Sequence, residues 1–86
     1  MTPEQRDLTR AALGLRERNG RMPRWSSRNS YAVGLTVDTE WDEMEGAGWA
    51  SRHRHFVTGN YLYRVTRAGA EAAGVLGRCR KEDVRR

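Results

Sequence analysis

Apolar residues recur at helical spacing near the start of the chain. These residues are Leu8, Ala11, Ala12 and Leu15. Thr2 stands where a helix cap is expected, Pro3 suits the first helical position, and Gln5 is placed to complete a capping box. Asn19-Gly20 has the composition of a helix stop. The pattern predicts a helix over about residues 3–18, followed by an irregular connector.

Two short elements are predicted next. Residues 30–35 have the composition of a short strand. From there the pattern becomes helical, since Trp41 and Met44 lie at helical spacing and either Asp38 or Thr39 suits the N-cap. The glycines that follow are expected to end this helix.

A β-hairpin and a last helix complete the pattern. Residues 51–57 and 61–66 have strand composition on either side of Gly59-Asn60, a pair that suits a tight turn. Thr66 is placed both to end the second strand and to cap a helix over residues 67–76. The apolar stripe expected on that helix is formed by Ala68, Ala72, Val75 and Leu76.

The length and composition predict one domain with a thin core. The chain has 86 residues, of which 37% are hydrophobic, and this is enough for a single domain. We expect the domain to cover residues 1–77 and a basic, flexible tail to cover residues 78–86. The large residues expected in the core are Trp25, Trp41, Trp49, Phe56, Tyr61, Leu62, Tyr63 and Val65.

Three features predict a cytoplasmic protein. No apolar run approaches the ~20 residues that span a bilayer. The polar N-terminus has no signal-peptide pattern. The single cysteine, Cys79, has no partner within the chain for a disulfide, which favours a reducing compartment.

Two strings carry a resemblance to a known family. The two strings lie on either side of the predicted turn and resemble the wing region of winged-helix proteins. They are Met44-Glu45-Gly46-Ala47-Gly48-Trp49 and Tyr63-Arg64-Val65-Thr66-Arg67-Ala68-Gly69. The resemblance covers about residues 38–76. It implies a small α+β winged-helix-like domain with the order helix, short strand, helix, β-hairpin, helix. In addition, Arg28-Asn29-Ser30-Tyr31 before this unit looks like small proteins encoded by phages and prophages, which would place the protein in the host cytoplasm.

Charge is distributed unevenly along the chain. The net charge is +5, and Lys81 is the single lysine among 16 basic residues. Residues 35–51 carry five acids and no Lys or Arg, so the rest of the chain holds 16 basic and 11 − 5 = 6 acidic residues. The helix that recognises bases in a winged-helix DNA reader is therefore acidic here, and a second helix before the wing is missing from the pattern. DNA phosphates would repel this helix.

The basic segments are the better candidates for a polyanionic partner. We expect a non-enzymatic nucleic-acid-binding accessory or regulatory protein that uses a basic wing, with binding that is sensitive to salt and weakly specific for sequence. The candidate nucleic-acid contacts are Arg24, Arg28, Arg52, His53, Arg54, His55 and Arg64.

Catalytic and metal chemistry have weaker support. His53 and His55 lie two residues apart on a strand, so both rings point to one side. A metal site needs further ligands at suitable spacing, and neither paired cysteines nor a second histidine pair supplies them. The same histidines could act as general acid and base on RNA, but the chain shows no nucleophile–base pair or phosphate loop. We expect no metal, no cofactor and no enzyme activity.

A protein partner is the alternative. Five acids on one short helix can be a solvated face, a surface for a basic partner, or a mimic of phosphates. A phage-encoded inhibitor of a host nucleoprotein machine, such as a CRISPR surveillance complex, would use this acidic face or the arginine-rich surface. An exposed strand edge would also allow dimerisation. The candidate partner contacts are Glu40, Asp42, Glu43 and Trp25, of which Trp25 is equally consistent with packing inside the fold.

Overall fold

The computed structural model describes residues 1–84, and these form a small α+β domain. Its helices are α1 (Pro3–Leu13), α2 (Thr39–Gly46) and α3 (Arg67–Ala72), and a 3₁₀ turn covers Leu76–Arg78. Its strands are β1 (Tyr31–Gly34), β2 (Ala50–Arg54) and β3 (Tyr61–Val65). The predicted α+β class and the predicted order of elements are confirmed.

The three strands form one antiparallel sheet with β3 in the centre. The strand order is β1-β3-β2. Tyr63 of β3 lies between Tyr31 of β1 and Arg52 of β2, and residues directly opposite in such a ladder share a face. Tyr63, Ala50 and Val65 are buried. This face of the sheet therefore packs against the helices, and the opposite face, which we call the open face, is directed away from them.

Helix α1 begins as predicted and ends earlier. The Thr2 hydroxyl accepts a bond from the Gln5 amide, and the Gln5 side chain accepts one from the Thr2 amide, which completes the capping box. Gly14, with φ of 72°, caps the other end in a left-handed conformation that favours glycine. The predicted extension to residue 18 is wrong because this cap turns the chain away.

A stack of aromatic rings forms the centre of the core. The Trp41 ring of α2 is fully buried and lies 5.4 Å from the rings of both Tyr31 and Tyr63. The Tyr63 hydroxyl donates to Asp42 Oδ1 at 2.8 Å. Burial, and then this bond to Asp42, raise the pKa of Tyr63 above its ordinary value. The stack joins α2 to two of the three strands.

Two predicted boundaries of the hairpin and last helix are wrong. β2 ends at Arg54, and residues 55–60 form a wider loop in which the His55 amide donates to the Asn60 carbonyl. Gly59-Asn60 is therefore part of a longer connection, and not the whole turn. Helix α3 ends at Ala72, and Ala68 is exposed whereas Ala70 and Ala73 are buried.

The expected core is also smaller than predicted. Phe56 is 94% exposed and Trp25 is 46% exposed, so neither belongs to it. Trp41, Tyr63 and Val65 are buried, and Trp49 and Tyr61 pack against them in partly buried positions. Leu13, Leu15 and Met44 are also fully buried. Ala12 of α1 and Ala70 of α3 belong to the same core, where small side chains let the helices approach the sheet closely.

The described part of the predicted tail is packed against the domain. Val84 is buried in the core, and the Ser26 amide donates to the Arg78 carbonyl at 2.8 Å. Residues 78–84, which we call the C-terminal segment, therefore replace the predicted flexible tail. Arg85 and Arg86 lie outside the described residues.

Gly69 marks the closest approach between α3 and the sheet. A Cβ atom placed on Gly69 would lie 2.0 Å from the carbonyl oxygen of Trp49, whereas one placed on Gly46 of α2 would meet nothing within 4 Å. We expect Gly69→Ala to lower the free energy of unfolding by about 1–3 kcal/mol or more, since backbone must move to admit the methyl group. Urea denaturation measures this change. Gly46→Ala is the matched control, and an equally small effect of both substitutions would contradict the packing described.

Candidate nucleic-acid interface

The predicted basic wing is divided between two faces of the hairpin. Arg52 lies opposite Tyr63 and Arg54 lies opposite Tyr61 in the ladder, so both arginines share the face that carries α2. The Arg52 guanidinium forms an ion pair with Asp42 at 3.1 Å. Both guanidiniums lie over the Tyr61 ring, at 5.7 and 5.4 Å from its centroid. These two arginines are partly occupied by contacts within the fold.

His53 and Arg64 lie on the open face instead. His53 is opposite Leu62 and Arg64 is opposite Ser51. The Ser51 hydroxyl and His53 Nε2 are 2.9 Å apart. Both basic residues border a concavity of about 520 Å³ that Glu82 and Asp83 of the C-terminal segment also line. The carboxylates lower the attraction of this concavity for phosphate, because like charges repel.

His55 organises the hairpin loop. Its Nδ1 accepts hydrogen bonds from the amides of Val57 and Thr58, both at 3.2 Å. Its ring is nearly parallel to the Phe56 ring, with centroids 5.5 Å apart. His55 therefore has a role in shaping the loop.

A second basic surface forms where the connector (residues 21–30) meets the C-terminal segment. The Ser26 hydroxyl donates to Asp83 Oδ2 at 2.6 Å and accepts from the Arg80 amide at 2.9 Å. Arg78 Nη1 donates to the Pro23 carbonyl at 3.3 Å. These bonds join residues more than fifty positions apart and hold the two segments side by side.

Trp25 of the connector lies beside the C-terminal segment. One concavity beside it, of about 500 Å³, is lined by Cys79, Arg80, Lys81 and Glu82. Another, of about 330 Å³, is lined by Arg18, Arg28 and the start of the connector. The Arg24 guanidinium lies 6.0 Å from the Trp25 ring centroid. We call this set the Trp25 surface; it comprises Trp25, Arg18, Arg24, Arg28, Arg80 and Lys81.

The Trp25 surface combines predicted and unpredicted residues. Arg24, Arg28 and Trp25 were candidates from the sequence, although Arg28 also donates to the Ala11 carbonyl at 3.0 Å. Arg80 and Lys81 belong to the basic tail that the sequence offers as a candidate for a polyanionic partner, although neither was named as a contact, and Arg18 was not predicted. Their basic character was visible, but no local pattern indicates that a charged C-terminal segment returns to the connector.

The acidic helix is used largely within the fold. Asp38 accepts from the Trp41 amide at 3.0 Å and caps the helix, and Asp42 accepts from Tyr63 and Arg52. Glu43 accepts from the Gln5 side chain at 3.3 Å. Of the predicted partner contacts, Glu43 is exposed, whereas Glu40 and Asp42 are half-buried. The acidic face open to a partner is smaller than the sequence indicates.

Cys79 is placed for packing. Its thiol donates to the Val75 carbonyl at 3.3 Å. Burial, and then the nearby Asp83, raise the pKa of this thiol above its ordinary value. A protonated thiol is a poor nucleophile and metal ligand. Within residues 1–84, no three His, Cys, Asp or Glu side chains come together in an arrangement that would hold a metal ion.

Comparison with known proteins adds no relative. Neither a protein-family model, nor a curated protein, nor a solved structure matches this chain. In addition, none of the helices in the described residues is long and apolar enough to cross a membrane.

Ser26 provides a direct test of how the Trp25 surface is assembled. Ser26→Ala removes both hydroxyl bonds that hold Asp83 and the Arg80 amide. We expect a loss of about 1–3 kcal/mol in the free energy of unfolding, because buried polar groups lose their partners. We also expect faster hydrogen exchange confined to residues 79–84. Ser30→Ala, at an exposed serine nearby, is the control; if both variants exchange like the wild type, Ser26 does not fix the segment.

Proposed function

We propose that this protein is a non-enzymatic nucleic-acid-binding protein whose main contact is the Trp25 surface. The observation that supports this proposal is the convergence of cations from two distant segments around one half-exposed tryptophan. Arg24 and Arg28 lie in the connector and Arg18 lies just before it, whereas Arg80 and Lys81 lie in the C-terminal segment. A polyanion is the partner that such a surface attracts most strongly.

The physical basis is the release of counterions from phosphates. Arginine forms bidentate hydrogen bonds with phosphate oxygens, and each phosphate that is neutralised releases condensed cations. This favours binding that is weakly specific for sequence and strongly dependent on salt. The cations of the hairpin make a smaller contribution, because Arg52 is paired with Asp42 and His53 and Arg64 face the carboxylates of the C-terminal segment.

We also propose that the domain is related to winged-helix proteins and is encoded by a phage. These two relationships rest on the sequence resemblance over residues 38–76 and on the matching order of helix, strand, helix, hairpin and helix. One helix, α2, lies between β1 and β2, and it carries the acids. If the relationship holds, this chain has lost the use of that helix for base recognition and binds nucleic acid elsewhere on the domain.

Neutralising two cations of the Trp25 surface tests the proposal. We expect Arg80→Gln plus Lys81→Gln to weaken binding of a labelled DNA or RNA oligonucleotide and to reduce the slope of log K against log salt by about 1.5 to 2, since up to two phosphate contacts are lost. Fluorescence anisotropy between about 50 and about 200 mM salt measures both quantities.

Arg6→Gln plus Arg67→Gln is the control that matches this variant in charge, at two exposed arginines of α1 and α3. This control is expected to retain the wild-type slope. An equal loss in both pairs would indicate a general effect of net charge. No binding by the wild type at the lowest salt would overturn the proposed function.

A specific observation favours a second candidate function, which is binding to a protein. Phe56 is 94% exposed, Val57 is 70% exposed and Leu35 is 69% exposed. The Leu35 side chain lies beside Gly59, which belongs to the same loop, residues 55–60, as Phe56 and Val57. We call these three exposed apolar residues the hairpin tip. Exposed aromatic residues of this kind serve as anchors in protein interfaces. The inhibitor of a host nucleoprotein complex remains the alternative proposal on this ground.

This alternative predicts that binding depends on Phe56. With a purified CRISPR surveillance complex as the probe, we expect Phe56→Ser to weaken association at least tenfold in a surface-binding assay, since truncated anchors cost about 2 kcal/mol or more. Glu40→Lys plus Glu43→Lys reports separately on the acidic face. Absence of association by the wild type would rule out this complex as the partner, and association unchanged by Phe56→Ser would rule out the hairpin tip.

A further inference from the structure

Trp25 differs from the other two tryptophans in its surroundings. Trp41 is fully buried and Trp49 packs partly against the core, whereas Trp25 is 46% exposed. Leaving much of an indole ring in water forgoes stabilisation that burial would provide. The ring is bordered by concavities of about 500 and about 330 Å³, so there is room beside it for a planar group.

We propose that Trp25 is a stacking platform for an unpaired base, and that the preferred ligand of this protein is single-stranded nucleic acid. This inference rests on the proposed function and specifies its substrate class. Within a duplex both faces of each base are covered by neighbouring pairs, so an indole reaches a base face in an unpaired strand or at a strand end. Stacking on an aromatic side chain contributes about 1–3 kcal/mol per base.

Cations in the two concavities that Trp25 borders support a strand that passes across the ring. Arg18 and Arg28 line one of these concavities, and Arg80 and Lys81 line the other. A nucleotide stacked on Trp25 would have its neighbouring phosphates within reach of these side chains. Basic grooves that follow the backbone, combined with aromatic rings for the bases, are the usual means of binding single strands.

Arg24 and Glu82 modify this arrangement. The Arg24 guanidinium lies 6.0 Å from the ring centroid, near the limit of a cation–π contact, so a base stacks on the other face of the indole or displaces Arg24. Glu82 lines the concavity of Arg80 and Lys81 and also the open-face concavity that His53 and Arg64 border. Its carboxylate repels phosphate, so its removal extends the basic surface from Arg80 and Lys81 toward the hairpin.

The test compares labelled oligothymidylate and oligouridylate of about 15 nucleotides with a duplex of the same length. Anisotropy measures affinity, and tryptophan fluorescence reports stacking on the ring itself. We expect Trp25→Ala to weaken binding of single strands by about 5- to 100-fold and to change binding of the duplex by less than about twofold. Trp25→Phe is expected to retain part of the affinity while the quenching of tryptophan emission disappears, which a merely structural role would not produce.

Two further variants sharpen the result. Phe56→Ala removes an exposed aromatic ring of the hairpin loop, which does not line either concavity beside Trp25, and is expected to leave binding of nucleic acid unchanged. Glu82→Gln is expected to tighten binding of single strands several-fold at low salt, because the carboxylate no longer repels the backbone.

The two proposals fail in different ways. If single strands and the duplex both bind and Trp25→Ala weakens neither, stacking is overturned while the proposed function stands. If Trp25→Ala weakens single strands and the duplex equally, the preference for unpaired bases is overturned. If no nucleic acid binds the wild type at low salt, both proposals are overturned. Comparison of the thymidylate and uridylate arms then shows whether DNA or RNA is preferred.

Discussion

The pairing of Asn29 with the backbone of Val65 is the constraint on which the Trp25 surface depends. The Asn29 side chain accepts from the Val65 amide at 2.7 Å and donates to the Val65 carbonyl at 2.8 Å, so it continues the β1–β3 ladder with a side chain. The same amide group also donates to the Asp83 carbonyl. Together with Ser26, it fixes both the connector and the C-terminal segment to the central strand. Trp25, Arg80 and Lys81 meet because these bonds are made.

Some charged side chains are engaged by contacts within the fold, and others are not. Asp38 and Asp42 of α2 are engaged by the Trp41 amide, Tyr63 and Arg52. The acids that look like a binding face in the sequence therefore help to hold the helix on the sheet. Among the cations of the Trp25 surface, Arg18 and Arg28 line a concavity with Glu17, and Arg80 and Lys81 line one with Glu82. None of these cations forms an ion pair within residues 1–84. The chain therefore presents a concentrated basic surface although its net charge is modest.

The core is thin, and this affects what is left exposed. The stack of Trp41 with Tyr31 and Tyr63 fills the centre, and leucine, methionine, valine and alanine side chains fill the remainder. The helices pack on the face of the sheet that carries Tyr63 and Val65, so none of them covers the open face. Phe56 remains exposed in the hairpin loop and Trp25 in the connector. They are the large aromatic residues free to contact a partner, and the two proposed functions use them separately.

The sequence by itself determined the local elements. The cap at Thr2, the cap at Asp38, the alternation of β3 and the cap at Thr66 were all predictable, because capping and alternation are interactions between residues close in the chain. Only the tertiary structure decided which cations share a surface. Whether an arginine of a strand faces a helix depends on how that strand pairs with its neighbour. The bond between Ser26 and Asp83 joins residues 57 positions apart, and no local sequence pattern predicts a contact over such a separation.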